Sequence, residues 1–141
     1  MSKEHNLPRF LSAQEKSFET ALSEIKRGRK QSHWMWYIFP QIQGLGYSET
    51  SKFYGIKDLE EAKEFLEHPV LGERIIRICN ELLKLQEHDA NKIFGTPDDL
   101  KLKSSMTLFS SLNANPVFDR VLEKFFNGAK DTKTLEIIAR Q

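Results

Sequence analysis

The sequence predicts an all-α protein, a compact single-domain bundle of about seven or eight helices, several of them short. Three observations carry that expectation. Apolar residues recur at three- and four-residue spacing through most of the chain, the pattern of amphipathic helices. No segment sustains the two-residue alternation of a half-buried strand. Residues that start and stop helices, among them Gly28, Asp58, Gly95, Pro116 and Asp131, punctuate the chain between the apolar stripes.

Taken in order, the first stripe is Phe18, Ala21, Leu22 and Ile25, a helix from about Ala13 to Arg27 stopped by Gly28, with Gln14 on the same stripe. Ser32 is a plausible N-cap for a short helix ended by Pro40, with His33 and Tyr37 on one face and Trp36 and Phe39 on the other. A second short helix is expected from Ser48 to Tyr54. Asp58 and Glu61 form a capping box ahead of Leu59, Ala62, Phe65 and Leu66, and His68-Pro69 ends that helix. Val70 to about Gln86 is strongly amphipathic. Asp89 caps a single turn ending at Gly95. Thr96 as N-cap and Pro97 in the first turn start a helix reaching about Leu112, with Asp98 and Asp99 at its positive end. Asn115-Pro116 starts the next, stopped by Asn127-Gly128, and Asp131 caps the last.

The 141 residues are expected to form one domain, 1–141, in which 1–8 is a loose N-terminal segment. Charged residues make up 29% and the net charge is +1, so no global field draws the chain to nucleic acid or anionic lipid. No apolar run approaches the length of a membrane span, and the polar start carries no secretory signal. The lone cysteine, Cys79, excludes an internal disulfide and, with the missing signal, makes a cytoplasmic location the expectation. It lies mid-stripe among Ile75, Leu82 and Leu83, as a small buried hydrophobe would.

Candidate chemistry concentrates in two stretches. Ser32-His33-Trp34-Met35-Trp36-Tyr37 holds both tryptophans, and Gly44-Leu45-Gly46 follows, where the backbone can approach a ligand closely. His33 is a candidate general base, a role histidine chemistry suits near neutrality, or else a hydrogen-bonded core residue. On the Asp98-to-Leu112 helix, Lys101 and Ser105 fall inside the apolar arc, between Leu108, Leu112 and Phe109. An interior lysine is costly unless paired or solvated, so Lys101 either snorkels past Leu108 or serves a site. Arg74 borders the apolar arc of its own helix, as a solvated arginine or as a fork for carboxylate or phosphate. No metal is expected: His5, His33, His68 and His88 are scattered and one cysteine makes no zinc cluster. Gly44-Leu45-Gly46 lacks the lysine of a phosphate loop, and no cofactor is expected.

The run Gly28-Arg29-Lys30, Ser32-His33-Trp34-Met35-Trp36, Phe39-Pro40-Gln41 and Gly44-Leu45-Gly46 resembles the signature of the bacterial domain-of-unknown-function family DUF 1810. So do His68-Pro69-x-Leu71-Gly72, Phe94-Gly95-x-x-Asp98 and Lys101-Leu102-x-Ser104-Ser105-Met106-Thr107. The resemblance spans about Arg9 to Leu135. It implies an all-helical cytosolic domain and no established reaction; the label calpastatin sometimes given to members finds no inhibitor-like repeat here. Its polar positions include His33, Lys101, Ser104, Ser105 and Thr107.

Together these residues predict a pocket for a small anionic metabolite with a flat ring, such as a nucleotide derivative. Trp34, Trp36 and Tyr37 would stack. Lys30, Lys101 and Arg74 would supply charge, with Arg29 beside Lys30. Gln41, Ser104, Ser105 and Thr107 would hydrogen-bond, and His33 and Lys101, facing one cavity, would be the catalytic groups if there is a reaction. Whether the protein is an enzyme, and its oligomeric state, stay open. The alternative from a different class is a protein-interaction module anchored by the aromatic segment; single-stranded nucleic acid is disfavoured by the charge.

Overall fold

The computed structural model describes residues 6–141. Among them lie nine helices, six of seven residues or more, and no strand. They are α1 (Pro8–Lys26), α2 (Met35–Ile38), α3 (Glu49–Tyr54), α4 (Leu59–Glu67), α5 (Leu71–Lys84), α6 (Ala90–Phe94), α7 (Asp98–Ser110), α8 (Val117–Phe126) and α9 (Thr132–Ala139). The helix α7 is central: it packs on α8, α6, α4 and α9, while α5 joins α1, α4 and α8. Its residues from Ser104 to Ser110 are all buried. A helix shielded on every side has no polar face to display, so its polar residues end up inside.

The caps follow the sequence in four places. Ser48, Asp58, Asp89 and Asp131 each accept a backbone N–H of the following turn through their side chains. Three starts differ from expectation. Helix α1 begins at Pro8 instead of Ala13, because Phe10 extends the Phe18 stripe into the core and proline suits a first turn. Ser32 does not cap α2, which starts at Met35; its hydroxyl donates instead to Glu24 Oε2 at 2.6 Å. Thr96 does not cap α7, since its Oγ1 accepts from Asn91 Nδ2 at 2.6 Å and Pro97 stands directly before the helix. Of the expected loose segment, 1–5 lie outside the described residues, as does His5, and Pro8 is helical.

The chain between α2 and α4 is a loop closed at its neck by an isolated parallel bridge, Ile42 to Ile56. Gln43 N–H donates to Ile56 O at 2.7 Å and Ile56 N–H to Gln41 O at 2.8 Å. Arg9 clamps the neck from α1. Its Nε donates to Phe53 O at 2.7 Å, its Nη2 to Gly55 O at 2.9 Å, and Nη1 pairs with Glu61 Oε2 at 3.0 Å. Both charged side chains are more than nine-tenths buried, so the pair survives because every remaining donor is also satisfied. This loop leaves Leu45 and Gly46 beside α7, which creates the cleft described next.

Candidate functional site

The segment between α1 and α2 is fixed by a buried carboxylate. Glu24, at the inner end of α1, accepts from Gln31 N–H at 2.7 Å, Ser32 N–H at 2.9 Å, the Ser32 hydroxyl and the Trp34 indole Nε1 at 2.9 Å. Burial alone would raise its carboxyl, but these four hydrogen bonds outweigh it and hold the pKa down at about 2. Trp34 is thereby locked into the core, packed on Phe39 and Phe94, and offers no stacking surface.

Lys30 is the second fixed point. Its side chain is 8% exposed, its amine pairs with Asp98 Oδ2 at 2.8 Å, donates to Ser32 O at 2.6 Å and lies 5.0 Å over the Trp34 ring. A lysine so committed ties the α1–α2 connection to the start of α7 and is not free for a ligand. Asp98 also pairs, through Oδ1 at 3.2 Å, with Lys101 one turn along. Burial would raise the Asp98 carboxyl; the hydrogen bonds and charges of Lys30 and Lys101 hold it below the usual carboxylate range.

Lys101 therefore neither sits unpaired in the interior nor snorkels past Leu108. Asp98 holds its amine over the Trp36 indole, 3.9 Å from the ring centroid, a cation–π contact. The two side chains form one wall of a cleft of about 270 Å³. Gln41, Leu45 and Gly46 line it from the α2 side, Pro97, Leu100 and Ser104 from α7, and Asp131 and Lys133 from the start of α9. Leu100 is 56% exposed at the rim. Asp131 caps α9 through Oδ2, while Lys133 is exposed and has no ion-pair partner among the described residues. Among the described residues, neither the Gln41 side-chain amide nor the Lys133 amine has a hydrogen-bond partner.

The residues singled out in the sequence divide accordingly. Trp36, Gln41, Lys101 and Ser104 meet in the cleft. His33 is exposed and does not line it, so the expected pairing of His33 with Lys101 in one cavity is not built; the short helix begins two residues later and turns His33 outward. Tyr37 faces the opposite side, its hydroxyl donating to Ser17 Oγ at 2.9 Å. Arg74 lies over Phe18 and donates to Gln14 Oε1 at 3.4 Å, remote from the cleft lining. Thr107 is buried as a connector, donating to Lys103 O at 2.8 Å and accepting from Asp131 N–H at 2.9 Å. Ser105 is fully buried and its hydroxyl has no partner. Leu45 and Gly46 belong to the Gly44-Leu45-Gly46 stretch marked for close approach, whereas Pro97, Leu100, Asp131 and Lys133 were not expected in a site. Asp131 and Lys133 are some thirty residues beyond Lys101 and look like an ordinary cap and an ordinary surface lysine, so no local pattern ties them to Lys101.

An all-helical protein with one cation-and-indole cleft, open to solvent, is the class that fold and site define. The chain belongs to the family described as protein of unknown function (DUF1810), whose match covers residues 4–138. Among solved structures it is similar to the crystal structure of the conserved hypothetical protein Rv1873 from Mycobacterium tuberculosis. The identity is 42%, the coverage 95% of this chain and 96% of that chain, and the TM-score 0.93. No curated protein matches.

Proposed function

We propose that this protein binds a small anionic metabolite carrying a flat ring, such as a nucleotide derivative, in the cleft between Trp36 and Lys133. The observation that carries the reading is the Lys101 amine, held by Asp98 on the Trp36 indole at the cleft wall. Such an amine keeps hydrogen-bonding capacity for a second anion, and Lys133 adds a cation from the facing helix. Trp36, Leu45, Pro97 and Leu100 give the apolar walls that ligand pockets need, and Gln41 and Ser104 give polar groups to fix orientation. The volume, about 270 Å³, lies just below the ~300 Å³ at which ordinary ligand sites begin, so the open cleft would enclose only the ring or the anionic part of a mononucleotide. Lys101 would be the catalytic group if a reaction accompanies binding.

A thermal-shift screen with nucleotides and phosphorylated metabolites tests this, because a ligand that binds the native state alone raises its midpoint. A shift is expected that disappears in Lys101→Met and weakens in Lys133→Met. Asp98 keeps Lys30 as partner in Lys101→Met, so the unliganded midpoint should change by less than the ~1 kcal/mol of a partly exposed pair. A screen without any shift, or a shift unchanged in both variants, would refute the reading.

A further inference from the structure

Away from the cleft, α3 presents an aromatic ridge that the proposed function does not use. None of its residues is buried, and Phe53 is 53% exposed. Half-exposed phenylalanines are ordinary, but this one has its backbone anchored and its ring edge packed. Arg9, itself buried, grips the Phe53 carbonyl, and the ring packs edge-on against Tyr54 at 4.8 Å, which in turn packs on Tyr37 at 5.3 Å and Phe10 at 6.1 Å. A groove flanks the ridge on each side. One, about 480 Å³, runs between α1 and α3 beside Ala13, Tyr37 and Lys16; the other, about 300 Å³, lies beside Gln43, Lys52 and Lys57. The three lysines are exposed, and none has an ion-pair partner among the described residues.

We propose that this ridge docks a short acidic segment of a partner protein, with one large apolar side chain seated between α1 and α3 and carboxylates on Lys16 and Lys52. A preorganised aromatic at the centre of a contact with cations at its rim is the arrangement of an interface anchor: the ring supplies binding energy, the lysines supply partner choice. Charge decides against nucleic acid as the occupant. The same helices carry Glu15 and Glu49 at exposed positions, and α4 adds Glu60, which interrupts the continuous cationic track a phosphodiester chain needs. Discrete carboxylates can reach single lysines between those acids; a phosphate at every step cannot.

Selection of phage-displayed random dodecapeptides on the immobilised protein, with Phe53→Ala as counter-target, tests the proposal. The expected consensus is net acidic around one large apolar residue. A synthetic peptide of that consensus should lose about tenfold or more in affinity on Phe53→Ala, in line with interface anchors, and should weaken with salt and on the double change Lys16→Glu, Lys52→Glu. Lys101→Met should leave it unaffected, which separates this surface from the cleft. Three outcomes overturn the proposal: no enrichment over the Phe53→Ala counter-target, a neutral or basic consensus, or tighter binding of single-stranded oligothymidine with the same dependence on Phe53. Because Phe53 and both lysines are exposed, an unchanged unfolding midpoint in each variant confirms that binding, and not folding, is being read.

Discussion

Ser105 carries a hydroxyl with no partner at a fully buried position in the most enclosed helix of the protein. A buried donor that bonds nothing costs about 1–3 kcal/mol relative to its solvated state. Replacing it with a methyl side removes that cost and little volume. Ser105→Ala should therefore be neutral or stabilising by chemical denaturation; a loss above about 1 kcal/mol would mean that the hydroxyl finds a partner in solution. Cys79 illustrates the opposite residue-scale case. It is fully buried, 3.7 Å from the Met106 sulfur, and burial pushes its thiol far above the usual range. The thiolate that alkylating reagents attack is then scarce. Labelling by iodoacetamide should be slow in the native protein and fast after denaturation, and fast native labelling would contradict the buried position.

At the scale of elements, two joints hold α5. At its start, His68 Nδ1 accepts from Val70 and Leu71 N–H, at 3.1 and 3.3 Å, and so caps the turn that redirects the chain out of α4. Gly72 sits against that turn so closely that a Cβ would fall 1.9 Å from Leu66 O, a backbone atom that cannot swing away. Gly72→Ala must push α4 and α5 apart and should cost at least the ~1–3 kcal/mol of overpacking, read as a lower denaturant midpoint. The signature His68-Pro69-x-Leu71-Gly72 is thus explained as a joint between helices. At the other end, Lys124 of α8 donates to Leu82 O and Leu83 O, each at 3.0 Å, and to Leu85 O. A cation there serves the Leu83 and Leu85 carbonyls past the end of the helix, adds to the Leu85 N–H already on Leu82 O, and complements the helix dipole. Lys124→Met should lower stability by about 1–3 kcal/mol, since the half-buried carbonyls lose a charged donor; an unchanged midpoint would show that water replaces it.

For the whole molecule, Glu24 and Asp98 shape the response to acid. Glu24 in the folded protein holds its proton less tightly than in the unfolded chain, with a pKa of about 2 against 4.5. Its stabilisation is therefore complete above about pH 4.5 and is lost as pH falls toward about 2. The shift corresponds to about 3 kcal/mol, a large part of a domain's stability. Asp98, whose carboxyl is also depressed, acts in the same direction. Glu24→Gln should lower stability near neutrality and flatten the acid limb of the stability profile. An acid limb as steep as in the wild type would show that other carboxylates carry it. Loss of Glu24 also releases Trp34, so its fluorescence should shift toward that of an exposed indole.

Helix content and most boundaries were legible in the sequence because they depend on neighbours along the chain. Apolar spacing along α4, α5 and α8, and the caps at Ser48, Asp58, Asp89 and Asp131, are local chemistry, and the folded protein keeps them. Cys79 was placed by the same periodicity. The wheel sets Lys101 among apolar neighbours, but the fold places it half-buried at a cleft wall, because Asp98 and Trp36 hold it together and Trp36 comes from another helix. The roles of Trp34 and Trp36 could not be separated by type or spacing: one is claimed by Glu24 inside the core and the other is left at the cleft. His33 and Tyr37 were expected on one helical face, but the fold leaves His33 exposed and turns Tyr37 to Ser17, away from the cleft lining. Asp131, Lys133 and the Arg9–Glu61 clamp join residues far apart in sequence, and no local pattern marks them. The sequence by itself determined which segments are helical and which faces they bury, since periodicity and capping act within a few residues. Only the tertiary structure decided which polar groups neutralise one another and which stay open to solvent, because that depends on what each helix meets when the chain closes on itself.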